Sequence, residues 1–113
     1  MPESQEPNVL HGHPSSPGKV RGTARLITTL AEAVKIQPGD ILVAQVTAPP
    51  WTPLFATVAA VVTDKGGVLS HAAIVAREYN IPAVLGTGNA TRVIRDGQAI
   101  EVDGDAGEVH IVS

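Results

Sequence analysis

Short apolar runs of strand length recur along the chain, separated by turn residues. Ile41 to Val46 (ILVAQV) and Val58 to Val62 (VAAVV) are nearly continuous, the pattern of strands covered on both faces, and Ala83 to Leu85 reads as a third. Between the second and third lies Ala72 to Tyr79 (AAIVAREY), apolar through its first five positions. Ser70 is a good N-cap for a helix there, Asn80 takes the left-handed conformation that ends one, and Pro82 forbids continuation. Upstream, Gly18 to Ile27 (GKVRGTARLI) mixes β-formers with two glycines and predicts a strand or bent strand pair. Thr29 caps a short helix through Val34, and Gln37 to Asp40 is a turn. Thr47-Ala48-Pro49-Pro50 breaks the next strand, and Pro53 suits the first turn of a short helix over Leu54 to Thr57 with Thr52 as its cap. Gly86 to Asn89 turns into a helix over Ala90 to Ile94. The dipeptides Asp96-Gly97 and Asp103-Gly104 flank a strand over Gln98 to Val102, which closes as a hairpin with Glu108 to Val112. Met1 to Pro17 holds four prolines and few large apolar residues. Residues 1–15 are therefore expected to be a linker or disordered N-terminus, and 16–113 one domain. The β-rich ends surround a middle that alternates strand and helix, an α/β fold of mixed layered sheets with short helices.

Composition narrows the function. Only Trp51, Phe55 and Tyr79 are aromatic although apolar residues make up 43% of the chain, so the core is built from Val, Ile, Leu and Ala on closely packed elements. Eight basic and eleven acidic residues give a net charge of −3 with no basic block, which argues against nucleic acid as a partner. Cysteine is absent, removing disulfides and thiol chemistry and fitting a reducing cytosol. No apolar run has the length of a membrane span and the N-terminus is unlike a signal peptide, so a cytoplasmic protein is expected, without a membrane partner.

His71 opens the central helix directly after its cap. Free backbone N–H groups and the positive end of the helix dipole gather there, and Gly66 and Gly67 let the preceding backbone approach a ligand, so the place suits an anion. The dipole also disfavours a positive imidazolium, leaving a neutral ring nitrogen as a nucleophile near pH 7. A nucleophilic histidine beside an anion cradle fits phosphoryl transfer through a covalent phosphohistidine. The competing reading is a histidine that simply caps or packs at a helix start.

The stretch Gly66-Gly67-Val68-Leu69-Ser70-His71-Ala72-Ala73-Ile74-Val75-Ala76-Arg77-Glu78, followed by Ile81-Pro82-Ala83-Val84, resembles the phosphohistidine signature of the mobile domain of phosphoenolpyruvate-utilising enzymes. That family includes phosphoenolpyruvate synthase, pyruvate phosphate dikinase and rifampicin phosphotransferase. Ser16-Pro17-Gly18 with Gly22-Thr23-Ala24 is similar to the domain's opening, and Asp103-Gly104 with Gly107 to its end. The resemblance implies the swivelling β/β/α phosphohistidine fold, with His71 as the phosphorylated residue and Gly66, Gly67 and Ser70 framing the phosphate. It implies a phosphoryl carrier working between a nucleotide-binding domain of the ATP-grasp type and an acceptor domain for phosphoenolpyruvate, pyruvate or another substrate, in cis or in trans. ATP and Mg2+ belong to those partner domains, and no cofactor or metal to this chain. Arg77 matches the pattern, but six residues after His71 it lies on roughly the other side of the helix and reads as structural. Leu69 stands where many members carry the threonine of regulatory phosphorylation, which argues against that control and towards the rifampicin phosphotransferase and synthase-like branch. Asn80 replaces a common glycine without harm.

The chain has no GxxxxGK[ST] loop and no obvious carboxylate pair for magnesium, so alone it is a carrier and not a complete catalyst. It is either a piece of a larger enzyme or a free-standing subunit, and its end directly after the last strand suits a C-terminal domain. The alternative function is a non-catalytic swivel or docking module that binds anions in the same pocket. Thr63 and Asp64, at the end of a predicted strand, are candidates for orienting His71 or equally for satisfying a turn. Lys65 reads as a solvated loop residue, and Trp51 as either a core plug or a docking surface. His11 and His13 form an H-x-H pair with no third metal ligand nearby, His110 is an ordinary strand residue, and Ser70 points about 100° away from His71, too far round for a hydrolase pair.

Overall fold

Strand β3 (Lys19–Leu26) belongs to two sheets at once. Its first half, Lys19 to Thr23, pairs antiparallel with β7 (Ala99–Asp103), and its second half, Ala24 to Leu26, pairs parallel with β4 (Ile41–Ala44). The change of partner falls beside Gly22, where a Cβ would lie 2.6 Å from the Gly39 carbonyl oxygen, so only glycine fits the close approach. This is the bent strand expected from the two glycines. In the computed structural model, which describes residues 8–112, the remaining strands are β1 (Val9–His11), β2 (His13–Ser16), β5 (Ala60–Thr63), β6 (Ala83–Leu85) and β8 (Glu108–Ile111). They run in the order β1-β8-β7-β3-β4-β5-β6-β2. Strands β3 to β6 are parallel, whereas β1, β8, β7 and the first half of β3 are antiparallel, with β7 and β8 forming the expected closing hairpin.

Both faces of the parallel strands are covered, which is why they read as unbroken apolar runs. Ile41, Val43, Ala60, Val62 and Val84 point into a core shared with Ile100, Val102 and Val109 of the antiparallel sheet and with Ala90 and Ile94 from α2 (Ala90–Val93) and its end. Leu42, Ala44, Val61, Ala83 and Leu85 point the other way, against Ala72, Ala73, Val75 and Ala76 of α1 (His71–Glu78). The result is three layers, antiparallel sheet, parallel sheet and helix. Three of the four α1 residues in the second core are alanines, which bring the helix backbone close to the sheet. Asn80 has φ 57°, the left-handed residue expected at the end of α1.

Two expectations need correction. The supposed linker of residues 1–15 holds β1 and all of β2 but its last residue, Ser16, and residues 1–7 lie outside the described residues. Strand β1 pairs with β8 and β2 with β6, so backbone hydrogen bonding orders a segment whose side chains gave no strand pattern. Pro14 is tolerated because β2 is the edge strand and its register shifts between Pro14 and Ser16. The helix placed over Leu54 to Thr57 is instead a 3₁₀ segment, Pro49–Ala56, that begins with prolines at its first two positions and takes Thr52 inside. Proline's missing N–H costs nothing at a helix start, so Pro49 and Pro50 open the segment where they were expected only to break a strand. The other 3₁₀ segment, Leu30–Lys35, follows the expected cap Thr29.

Candidate functional site

His71 stands at the carboxyl ends of the parallel strands, where the chain leaves β5 and returns as α1. Past that strand the backbone remains paired: the N–H groups of Asp64 and Lys65 donate to the carbonyls of Ala44 and Gln45, and those of Thr87 and Gly88 to Thr63 and Asp64. The loop 66–70 thus leaves a rigid edge. Gly66 has φ +111°, a region that L side chains rarely adopt, and a Cβ there would lie 3.1 Å from Ser70 Oγ. Gly67 is different, since a Cβ on it would meet nothing within 4 Å. Ser70 caps α1 as expected: its Oγ donates to the Gly67 carbonyl at 2.7 Å and accepts the Ala73 N–H at 3.4 Å. The Ile74 N–H makes the first helical bond to Ser70, while the N–H groups of His71 and Ala72 have no partner among the described residues.

The imidazole is held at both nitrogens. Thr47 Oγ1 lies 2.8 Å from Nδ1 and Thr52 Oγ1 lies 2.9 Å from Nε2. Phe55 meets the ring edge-on, with centroids 5.9 Å apart and an interplanar angle of 89°. Thr52 and Phe55 both come from the Pro49–Ala56 segment at i and i+3, positions that share a face in a 3₁₀ helix. Thr47 is buried in the turn that links β4 to that segment. Neither threonine stood out in the sequence as a partner of His71. The available signal was their place after the carboxyl end of a strand, where ligand-binding groups of open α/β sheets gather.

The two residues considered for orienting His71 are used elsewhere. The buried Thr63 hydroxyl donates to the Lys65 carbonyl, and Asp64 accepts the N–H and the hydroxyl of Thr91, so both stabilise the loop edge and the start of α2. Side-chain direction decides this, because Thr63 is packed inside the sheet and Asp64 turns towards α2. Arg77 is structural in the way its position suggested: its guanidinium donates to the Ser15 carbonyl at 3.0 Å and to the Val68 carbonyl at 2.7 Å, tying the glycine-rich loop to β2. Lys65 is exposed, and Trp51 is half-buried against the core under α1. Leu69 is 84% exposed at the crest of the loop. His11 and His110 lie in β1 and β8 beside Glu108, and the described residues contain no cluster of three or more metal-ligating side chains. A cavity of about 290 Å³ lined by Leu26, Ile27, Thr28, Val43, Gln45 and Thr91 includes none of the groups that touch His71.

The family profile of the mobile domain of PEP-utilising enzymes matches residues 36–107, a stretch that holds the loop, His71 and both threonines. The chain belongs to this family. It is 55% identical over 111 residues to chondramide synthase of Chondromyces crocatus, covering 98% of this chain and 3% of that protein. It is 52% identical over 105 residues to rifampicin phosphotransferase of Streptomyces sviceus, covering 93% of this chain and 12% of that one. Among solved structures, the solution structure of Enzyme I superposes with a TM-score of 0.62 and 34% identity over 70% of this chain and 33% of that one. The mobile domain thus spans only a small part of the relatives it matches in sequence. No helix among the described residues is long and apolar enough to cross a membrane.

Proposed function

We propose that the domain carries a phosphoryl group on Nε2 of His71, accepting it at a nucleotide-binding domain of the ATP-grasp type and releasing it at an acceptor domain. The observation that carries this reading is the imidazole gripped at both nitrogens beside two helix N–H groups that have no partner among the described residues. A neutral imidazole has one N–H and one lone pair. In this assignment the buried Thr47 hydroxyl accepts a hydrogen bond from Nδ1–H, which keeps its proton and leaves the lone pair on Nε2, the nitrogen farther from the backbone. Nε2 attacks phosphorus as the bond to the donor's leaving oxygen breaks, and the Nδ1 proton then passes to solvent. Thr47 suits the ring before and after, because its hydroxyl accepts from N–H in the first state and donates to the Nδ1 lone pair in the second.

The free N–H groups of His71 and Ala72, with the helix dipole behind them, are placed to balance the phosphoryl charge. Gly67 leaves the approach open, and Gly66 with Ser70 holds the loop. Release to the acceptor is the same displacement in reverse. ATP and Mg2+ enter on the donor domain, and the acceptor domain chooses between phosphoenolpyruvate or pyruvate and any other substrate. The test is to incubate the chain with a cognate donor domain and ATP or phosphoenolpyruvate and to follow intact mass. One acid-labile, alkali-stable phosphoryl adduct is expected, absent in His71→Ala. No adduct with a competent donor, or an undiminished one in the variant, leaves the anion-binding docking module as the better account.

A further inference from the structure

We propose that His13 is a positioning residue for phosphoryl transfer: its imidazole, seated over Gly86, braces the Gly66 peptide and so fixes where the loop 66–70 presents His71. This rests on the phosphoryl-carrier reading of His71. In the sequence His13 is only half of an H-x-H pair, and the fold separates the two, setting His11 in β1 beside Glu108. His13 opens β2 opposite Leu85, and its ring reaches the turn that follows β6. There Gly86 has φ +72°, and a Cβ on it would lie 2.6 Å from His13 Cδ2, 3.2 Å from His13 Nε2 and 2.7 Å from the Gly66 carbonyl oxygen. The ring edge and the Gly66 carbonyl thus flank one narrow space that only glycine leaves empty.

Gly66 has little else to hold it. Its carbonyl accepts no hydrogen bond among the described residues, and the Gly67 that follows has open space where a side chain would be. Two glycines in succession have the most backbone freedom to lose on ordering, so contacts from outside decide where the loop rests. Strand β2 supplies them at two points. His13 stands against the first residue of the loop, while Ser15 accepts a hydrogen bond from Arg77, whose other terminal nitrogen donates to the carbonyl of the third, Val68. The Ser15 hydroxyl donates back to the His13 carbonyl at 3.1 Å, which ties the two points together across the register shift in β2. Neither nitrogen of the His13 ring has a hydrogen-bond partner among the described residues, so the brace is the bulk of a flat ring. The groups that hold the His71 ring are Thr47, Thr52 and Phe55, and His13 acts on it only through the loop.

The chemical step is unchanged: Nε2 of His71 bonds to phosphorus, the bond to the donor's leaving oxygen breaks, and the Nδ1 proton goes to solvent. What the brace sets is how well the loop and the helix N–H groups meet the incoming charge. Two quantities are compared in the wild-type chain and in His13→Ala, His13→Phe and His13→Gln. Amide exchange at residues 66–70 needs no donor. Initial rates of single phosphoryl gain by intact mass, over a range of donor-domain concentrations at saturating ATP, give kcat and KM separately. Without the ring, His13→Ala should exchange the loop amides about tenfold faster. Its kcat should fall about three- to thirtyfold with KM near wild type, because a misplaced loop weakens the transition state more than docking. Phenylalanine restores the flat ring and should bring both quantities back, whereas glutamine should stay with alanine. A purely structural role would lower the urea midpoint and leave the kcat of the folded chain unmoved. Unchanged loop exchange in both Ala and Gln variants, or faster exchange with unchanged kcat, overturns the proposal. Loop exchange that follows the ring in a chain that gains no phosphoryl group from a competent donor would instead refute the carrier reading, and the role in transfer with it.

Discussion

Gly66 and Gly67 are adjacent and alike in sequence, but their alanine variants should behave oppositely. Alanine at position 66 must adopt φ +111°, which costs about 1–3 kcal/mol for a residue with a Cβ. Its Cβ would also sit 3.1 Å from Ser70 Oγ, the atom that caps α1 and bonds the Gly67 carbonyl. Pushing that oxygen aside forfeits part of a cap worth about 0.5–2 kcal/mol. Gly66→Ala is therefore expected to lose about 2–4 kcal/mol, and at about 4 °C per kcal/mol its Tm should fall by about 8–16 °C. At position 67 a Cβ has nothing within 4 Å and no positive φ to suffer, so Gly67→Ala should stay within about 0.5 kcal/mol of wild type. If the open space at Gly67 is where the phosphoryl group arrives, that stable variant should still take phosphate more slowly from a donor domain. Urea unfolding and thermal melts measure the first pair of effects, and intact mass after timed exposure to the donor measures the last. A Gly66→Ala chain as stable as wild type, or equal losses at the two positions, would refute the reasoning.

Further outcomes follow from the same geometry. Ser70→Ala should cost about 0.5–2 kcal/mol in denaturant unfolding and speed amide exchange in the first turn of α1, where Ser70 Oγ now accepts the Ala73 N–H. Arg77→Met removes two charge-assisted hydrogen bonds, to Ser15 and Val68. It should destabilise the domain by about 1–3 kcal/mol and raise exchange in the loop before His71, whereas a change within error would mean that the clamp holds nothing. On the phosphoryl-carrier reading, Thr47→Val should slow the phosphorylation of His71 by a donor domain, followed by intact mass, because it removes the hydroxyl 2.8 Å from Nδ1 that holds the ring in the tautomer with Nε2 free to attack. The Glu32 carboxyl is held below its usual 4.5 by the N–H groups of Thr28, first, and Thr29. A lowered value means that its help to the Leu30–Lys35 segment is complete above the unfolded value and lost as pH falls through the folded one. The Thr28 and Thr29 amide resonances should accordingly titrate with a midpoint below 4.5.

Much of the scaffold was legible because it depends on local rules. The unbroken runs at β4 and β5 are the mark of strands covered twice, and the series Ser70, His71 to Glu78, Asn80, Pro82 is a helix written from cap to stop. That series by itself placed His71 in a first helical turn behind a glycine loop, with the chemistry such a place allows. It could not say what touches the ring. Thr47 and Thr52 lie 24 and 19 residues before His71 and reach it only because parallel pairing brings the carboxyl end of β4 beside that of β5, and a proline-opened 3₁₀ turn aims one face at the helix start. Thr63 and Asp64, nearer in sequence, were drawn to the loop edge and to α2 by the direction of their side chains. The first strands were hidden for a related reason: β1 and β2 are held by backbone bonds to β8 and β6, about 70 to 100 residues away, which no local pattern records. Sequence determined the candidate histidine and the helix that presents it, since both rest on near neighbours along the chain. Only the tertiary structure decided which hydroxyls hold its two nitrogens, because that is a matter of which distant segments the sheet sets side by side.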